Sequence, residues 1–244
     1  MSRSIVETEA GSGLWNMAVD EALLEAAVAG GEPAFRWYQW SEPTLSLGYF
    51  QDVAEVARTL IAPGLPIVRR LSGGGAILHH HELTYSLTIP SGHALAHDPH
   101  QLYLSVHERI ISVLEGFGYP VRLRGEKSAE GDLPPPFLCF GRGDEFDVVL
   151  QGHKVLGSAQ RRRRGSILQH GSLMYRHSEF ATEYPGLFDL ADSAVEIHLL
   201  RQELATRVGL LLGGDAEFTA LKAGVMQRAR ELAARLASDS VRLR

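Results

Sequence analysis

The stretch VRRLSGGGAILHHHELTYSLTIP, residues 68–90, reads as three short strands wrapped around a glycine loop. IVRRL enters the loop at Ser72, Gly73, Gly74 and Gly75. AILHH and ELTYSLTIP leave it, and Pro90 ends the last strand. Three consecutive glycines between strands weaken packing. The loop therefore either lets backbone approach a ligand closely, with its N–H groups binding an oxyanion or phosphate, or is a tight sheet turn. No Gly-Lys-Ser/Thr follows, so it is not a Walker A loop. Arg69 and Arg70 add cationic charge, and strand alternation sends them to opposite faces.

Working outward, Asn16 caps a helix through MAVDEALLEAAVA that ends at Gly30 and Gly31. AFRWYQW and TLSLGYF are strands. QLYLSVHERIISVLEGFG, residues 101–118, has helical apolar spacing. VRLR is a strand, and residues 125–136 form a polar, then proline-rich loop. FDVVLQGHKVLGSAQ is a hairpin turning at Gln151 and Gly152, and GSILQHGSLMY is a further strand. After residue 194, AVEIHLLRQELATRVGLLL and EFTALKAGVMQRARELAARLA read as two helices split by Gly213, Gly214 and Asp215. Interleaved helices and hairpin-like strand pairs favour a mixed α/β or α+β fold, with antiparallel-rich sheets flanked by helices, over a doubly wound parallel sheet. Residues 1–190 are expected to form a catalytic domain, and residues 191–244 a C-terminal helical extension packed on it.

The chain has 244 residues and a net charge of −5 at pH 7. Its pI is near 6.1, which argues against a dedicated nucleic-acid binder. One cysteine excludes an intramolecular disulfide. MSRSIVETEA has no apolar signal core, and no run approaches the length needed to cross a bilayer. A cytoplasmic monomer with no membrane contact is the expectation.

Four groups of residues are suited to chemistry. The first is the glycine loop and the second is Cys139 in PPPFLCF, either an inert small hydrophobe or a nucleophile that needs a nearby base or cation, for which Lys154 and His79 are candidates. Lys154 in GHKVLGSAQ is either a half-buried functional lysine or an edge lysine in water. Alternation places it with Leu156 and Ser158, opposite His153, Val155 and Gly157. The four arginines 161–164 form a solvated surface or attract an acidic protein or phosphate. Of His79, His80, His81 and Glu82, only His79 and His81 share a strand face. No third ligand stands at a recognised spacing, so no metal site is expected.

The order of NMAVDEALL, RWYQW…PTLSLGYFQ, VRRLSGGGAILHHHELTYSL and GHKVLGSAQRRRRGSILQHGSLM resembles the lipoate-protein ligase A/octanoyltransferase family over roughly residues 14–175. The resemblance implies the biotin/lipoate protein ligase catalytic-domain fold. It implies attachment of octanoate or lipoate to one lysine of a lipoyl domain or of glycine cleavage H protein. It places Arg70, Ser72, Gly73, Gly74, Gly75, His79, Gly157, Ser158, Ala159 and His170 around the acyl group, and Lys154 at the acyl carbonyl.

The family holds two chemistries. Ligases activate a free acid with ATP and Mg²⁺. Transferases take octanoate from acyl carrier protein through a cysteine thioester and need no cofactor. Cys139 lies shortly before the lysine hairpin, where cysteine-dependent octanoyltransferases of this family carry their nucleophile. The expectation is therefore an octanoyltransferase with Cys139 and Lys154 as catalytic residues, Lys154 acting as a cation or as a neutral base. An ATP-dependent ligase, an amidotransferase between carrier domains and a non-catalytic binder are the alternatives. The acidic donor and acceptor proteins are expected to dock on arginines 161–164.

Overall fold

The computed structural model describes residues 3–7, 9–53, 64–125, 137–191, 195–213 and 216–241. In chain order the elements are β1 (Arg3–Glu7), α1 (Gly13–Val28), β2 (Ala34–Tyr38), β3 (Thr44–Leu47), β4 (Ile67–Arg69), β5 (Ile77–His79) and β6 (Glu82–Ile89). They continue with α2 (Pro99–Gly116), β7 (Arg122–Leu123), β8 (Val148–Leu150), β9 (His153–Arg163), β10 (Ser166–Met174), α3 (Leu187–Leu190), α4 (Ile197–Gly209), β11 (Ala216–Thr219) and α5 (Ala223–Val241).

The strands form two sheets. Eight strands run in the order β11-β1-β2-β6-β10-β9-β8-β7, and three in the order β4-β3-β5. The large sheet is antiparallel from β2 to β7 and parallel at its β11-β1-β2 margin. Residue parity sorts its faces. Leu83, Tyr85, Leu87 and Ile89 of β6 join Phe35 and Trp37 of β2 in a core with Leu102, Val106 and Ile110 of α2 and Leu200 and Leu204 of α4. Behind the other face lies α1, whose Ala18, Val19, Ala22 and Leu23 pack with Ala34 and with Ala229 and Leu232 of α5.

Helix α1 is capped by Ser12, whose hydroxyl accepts from Trp15 N at 3.3 Å, and not by Asn16. Asn16 is buried one turn inside, where Gly11 O, Gln39 O and the Arg36 guanidinium bind its amide. A polar residue before an apolar run satisfies the cap rule at either position, and only the buried partners distinguish them. The glycine stop is real: the helix ends at Val28, and Gly30 has φ +83°.

The C-terminal segment is not helical throughout, against its sequence reading. EFT is not helical: Ala216–Thr219 is a strand that extends the large sheet by pairing in parallel with β1. Strand β1 receives β2 on its other side. The hairpin turns at Gln151 and Gly152, both with positive φ, as its sequence indicates. Apart from Gly125, the loop expected over 125–136 lies outside the described residues. Among the described residues no helix is long and apolar enough to cross a membrane.

Candidate active site

A cavity of about 620 Å³ opens between the small sheet and the large one. Arg70, Gly73, Gly74, Gly75 and His79 line it from the small-sheet side, and Lys154, Gly157, Ser158, Ala159 and His170 from the large sheet. Cys139 completes the wall from a 3₁₀ turn, Cys139–Gly141. Of the residues expected in catalysis or around the acyl group, Ser72 alone is absent from the lining, and its hydroxyl meets His170, which lines it; arginines 161–164, His80 and His81 lie outside the lining.

Arg70 is the frame of the glycine loop. It is buried; its Nη2 donates to Gly73 O at 2.8 Å and Gly75 O at 2.6 Å, and its Nη1 to Ser46 O at 3.0 Å. These bonds turn two loop carbonyls inward, and Gly74 takes φ +95° to allow it. Among the described residues, the amides of Gly73, Gly74 and Gly75 have no backbone acceptor. Burial brings Arg70 down to about 10, with the charge of Cys139 opposing that shift and Arg142 adding to it.

The thiol is tied to the same loop. Cys139 N donates to Ala76 O at 2.7 Å, and Leu138 bridges to Ala76. A Cβ on Gly75 would lie 3.0 Å from Arg142 and 3.2 Å from Phe137 O, so the segment carrying Cys139 packs against the loop. Cys139 is half-buried and free.

Lys154 reaches the cavity by an irregularity. Val149 pairs with Lys154 but Val148 with Leu156, so β9 carries one extra residue against β8. The bulge changes the parity, and Lys154 and Gly157 come to the same face, against the alternation expected from the sequence. Lysine Cε and Nζ pass 2.4 and 2.7 Å from where a Cβ on Gly157 would stand. The ammonium meets Asp147 Oδ1 at 2.8 Å, with both side chains almost fully buried. Burial raises the Asp147 carboxyl above its ordinary range despite the lysine.

Two buried histidines join the sheets. His170 Nδ1 lies 3.3 Å from Asp20 Oδ2, and its Nε2 lies 2.5 Å from Ser72 Oγ. The order of groups is that of a serine-hydrolase triad, but Ser72 is fully buried and outside the cavity lining, so this chain anchors the glycine loop to β10. Burial would raise Asp20, and the combined pull of Arg36, His170 and Ser86 holds it below its ordinary value. His79 spans Glu82 Oε1 and Ser46 Oγ, each at 2.7 Å, and stacks on Trp40. Both of its nitrogens are engaged, and burial lowers its pKa in spite of Glu82. His79 thus braces the two sheets and does not serve as a base for Cys139.

Asp147, His107, Tyr103 and Arg142 also line the cavity, and the sequence reading missed them. His107 Nδ1 donates to Phe146 O, and its Nε2 accepts from Ser158 Oγ, each at 2.6 Å. Tyr103 donates to Ser158 O at 2.8 Å. Both project from α2 beside the apolar positions 102, 106 and 110, a placement visible in the helical spacing. Asp147, directly before an apolar strand, was the other available signal.

Elsewhere, Arg163 pairs with Glu21 and Glu25, while Arg162 and Arg164 are exposed. His80, His81 and Glu179 bring three possible ligand atoms within 4.8 Å of one another. The two imidazoles are stacked at 3.6 Å with their planes 24° apart, so their in-plane lone pairs do not converge on one ion.

Known proteins carry the same frame. The lipoyl protein ligase A/B catalytic domain family matches residues 12–183. A protein of Kyrpidia tusciae named octanoyltransferase LipM is 31% identical over 96% of each chain. Another of that name, from Anoxybacillus flavithermus, is 40% identical over 68% of this chain and 62% of its own length. The solved structure of protein Ta0514 of T. acidophilum with bound lipoic acid shares the fold, with a TM-score of 0.75 at 22% identity over 96% of this chain and 95% of that one. With a family match across most of its length and a relative aligned over 96% of both chains, the chain belongs to the lipoyl protein ligase A/B catalytic domain family.

Proposed function

We propose that this protein is an octanoyltransferase that carries the acyl group on Cys139. The observation behind the reading is that the single thiol shares one cavity with Lys154 and with the amides of the glycine loop. The name octanoyltransferase LipM, borne by the relatives, supports it.

The Cys139 thiolate attacks the carbonyl carbon of an octanoyl thioester on acyl carrier protein. The oxyanion forms against the amides of Gly73, Gly74 and Gly75, where loss of one donor typically costs about 100-fold or more in rate. Collapse expels the carrier's thiolate, which takes up a proton, and leaves octanoyl-Cys139. A lysine amine of a lipoyl domain or of glycine cleavage H protein then attacks the same carbonyl. Cys139 leaves as thiolate, the amine loses a proton, and an amide remains. Exchange of a thioester for an amide runs downhill and consumes no nucleotide. Met17, Trp40 and Phe140 give the chain an apolar bed, each buried methylene contributing about 0.8 kcal/mol.

Lys154 acts as a cation. A carboxylate at 2.8 Å holds the ammonium in position, and its charge favours the thiolate. Intact-protein mass spectrometry after mixing with octanoyl-acyl carrier protein, without ATP, tests the reading. The expected result is one octanoyl adduct, released by hydroxylamine and absent from Cys139→Ala. Full transfer by Cys139→Ala refutes the thioester. ATP-dependent modification of an acceptor from free octanoate, with no adduct, assigns ligase chemistry instead.

A further inference from the structure

Two features of the sequence have no part in that reaction: Arg69 and the arginines of the β9–β10 hairpin. Both meet at an exposed aromatic pair. Residues 48–51 form a turn after β3, closed by Gln51 N to Gly48 O and by Gly48 N to Gln51 Oε1, each at 3.0 Å. Arg69 Nη1 donates to the carbonyls of Gly48 at 2.9 Å, Tyr49 at 3.1 Å and Gln51 at 2.7 Å. Tyr49 N donates to Ser72 O at 2.9 Å. A Cβ on Gly48 would stand 2.1 Å from Gly74 O, so the turn is pressed against the glycine loop whose Gly73 and Gly74 line the cavity, and Arg161 follows two residues after the lining Ala159 on the same face of β9.

This stiff turn presents Tyr49 at 42% and Phe50 at 84% exposure, their rings edge to face. The Arg161 guanidinium lies over the Tyr49 ring at 4.6 Å. A rigid turn that holds a large apolar side chain in water has already met the ordering cost of an interface. Aromatic and arginine side chains together form the usual anchors of protein interfaces.

We propose that Tyr49, Phe50 and Arg161 form the docking rim for the acceptor, an acidic domain that presents its lysine to Cys139. The proposal rests on the acyl-transfer reading above. Reach decides between the two carriers. An extended lysine side chain spans about 6 Å, so the acceptor's backbone must come to the edge of the cavity. A thioester on a pantetheine arm reaches several times further and leaves its carrier freer in where it docks. Phe50 supplies an apolar anchor. Arg161, with Arg164 exposed at the end of the strand, meets acidic residues of the acceptor.

The test measures binding and the two half-reactions separately. An unmodified lipoyl domain from the same organism is titrated onto the full-length enzyme by calorimetry. Phe50→Ser and Arg161→Glu each weaken binding about tenfold or more. Arg161→Glu also flattens its salt dependence. Phe50 is exposed, so its replacement leaves the thermal transition in place. Acylation of Cys139 by octanoyl-acyl carrier protein keeps its rate in both variants, while KM for the acceptor rises and kcat holds. Unchanged acceptor binding in Phe50→Ser overturns the proposal. So does slowed acylation with unchanged acceptor binding, which puts the donor on this rim. A dimer of the wild type that Phe50→Ser dissolves gives the aromatic pair to a second copy and overturns it as well. Absence of the acyl-enzyme in the wild type counts against the thioester alone, because the binding measurement does not depend on it.

Discussion

His107 ties the stability of this protein to pH in a way that can be calculated. Its imidazole is buried under the cavity wall, neutral, donating from Nδ1 to Phe146 O and accepting at Nε2 from Ser158. Burial lowers its pKa to about 4, against about 6.5 in an unfolded chain. Between those values the unfolded chain binds a proton that the folded one refuses. Stability from this group is therefore intact above pH 6.5 and lost as pH falls towards 4. The linkage relation gives a loss of about 2 kcal/mol at pH 5 and about 3 kcal/mol in the limit below pH 4. Other groups titrate over this range, so the comparison is with His107→Gln, which cannot charge. At pH 7.5 the variant is less stable by about 1–3 kcal/mol, because two buried hydrogen bonds are disturbed. By pH 5 that gap narrows by about 2 kcal/mol. Urea unfolding of both proteins, followed by tryptophan fluorescence at several pH values, measures it. A gap constant from pH 7.5 to pH 5 refutes the assignment of a neutral, acid-resistant His107.

The glycines around the cavity are not equivalent. Gly157→Ala puts a methyl group 2.4 Å from Lys154 Cε and displaces the lysine from Asp147, so Cys139 acylation falls about 100-fold and the melting temperature drops with the disturbed pair. Gly73→Ala adds a Cβ with nothing within 4 Å and keeps near wild-type rates; equal losses in the two variants count against a specific role for the lysine position. Asp147→Asn leaves the Lys154 ammonium buried without its counter-charge and lowers unfolding stability by about 3–5 kcal/mol. A loss under about 1 kcal/mol in chemical denaturation shows that the pair is solvated.

Local signals carried the parts of this fold that depend on local chemistry. The β5–β6 stretch, the Gln151–Gly152 turn and the stop of α1 at Gly30 follow from glycines and alternation that act within a few residues. Strands β1 and β11 have no such signal. Each is short, and their pairing joins residues more than 200 positions apart, as in Arg3 with Ala216. EFT also sits beside a helical period strong enough to absorb it. The site was legible as a set of segments but not as a geometry. The bulge in β9 depends on register against β8, and it alone brings Lys154 over Gly157. His107 and Asp147 look like ordinary polar residues until their buried partners are known. Asn16 reads as a cap for the same reason, since its partner Arg36 comes from the next strand.

Helix α1 is apolar on two sides because it lies between the large sheet and α5. During synthesis that helix leaves the ribosome roughly 200 residues ahead of Ala229 and Leu232, which cover its outer side. At about 5–20 residues per second the outer side stays bare for on the order of ten seconds or more. A nascent or truncated chain lacking α5 offers this uncovered stripe to chaperones and to other unfinished chains. Helix α5 therefore closes the outer side of α1 late in synthesis, although among the described residues none of its side chains lines the cavity.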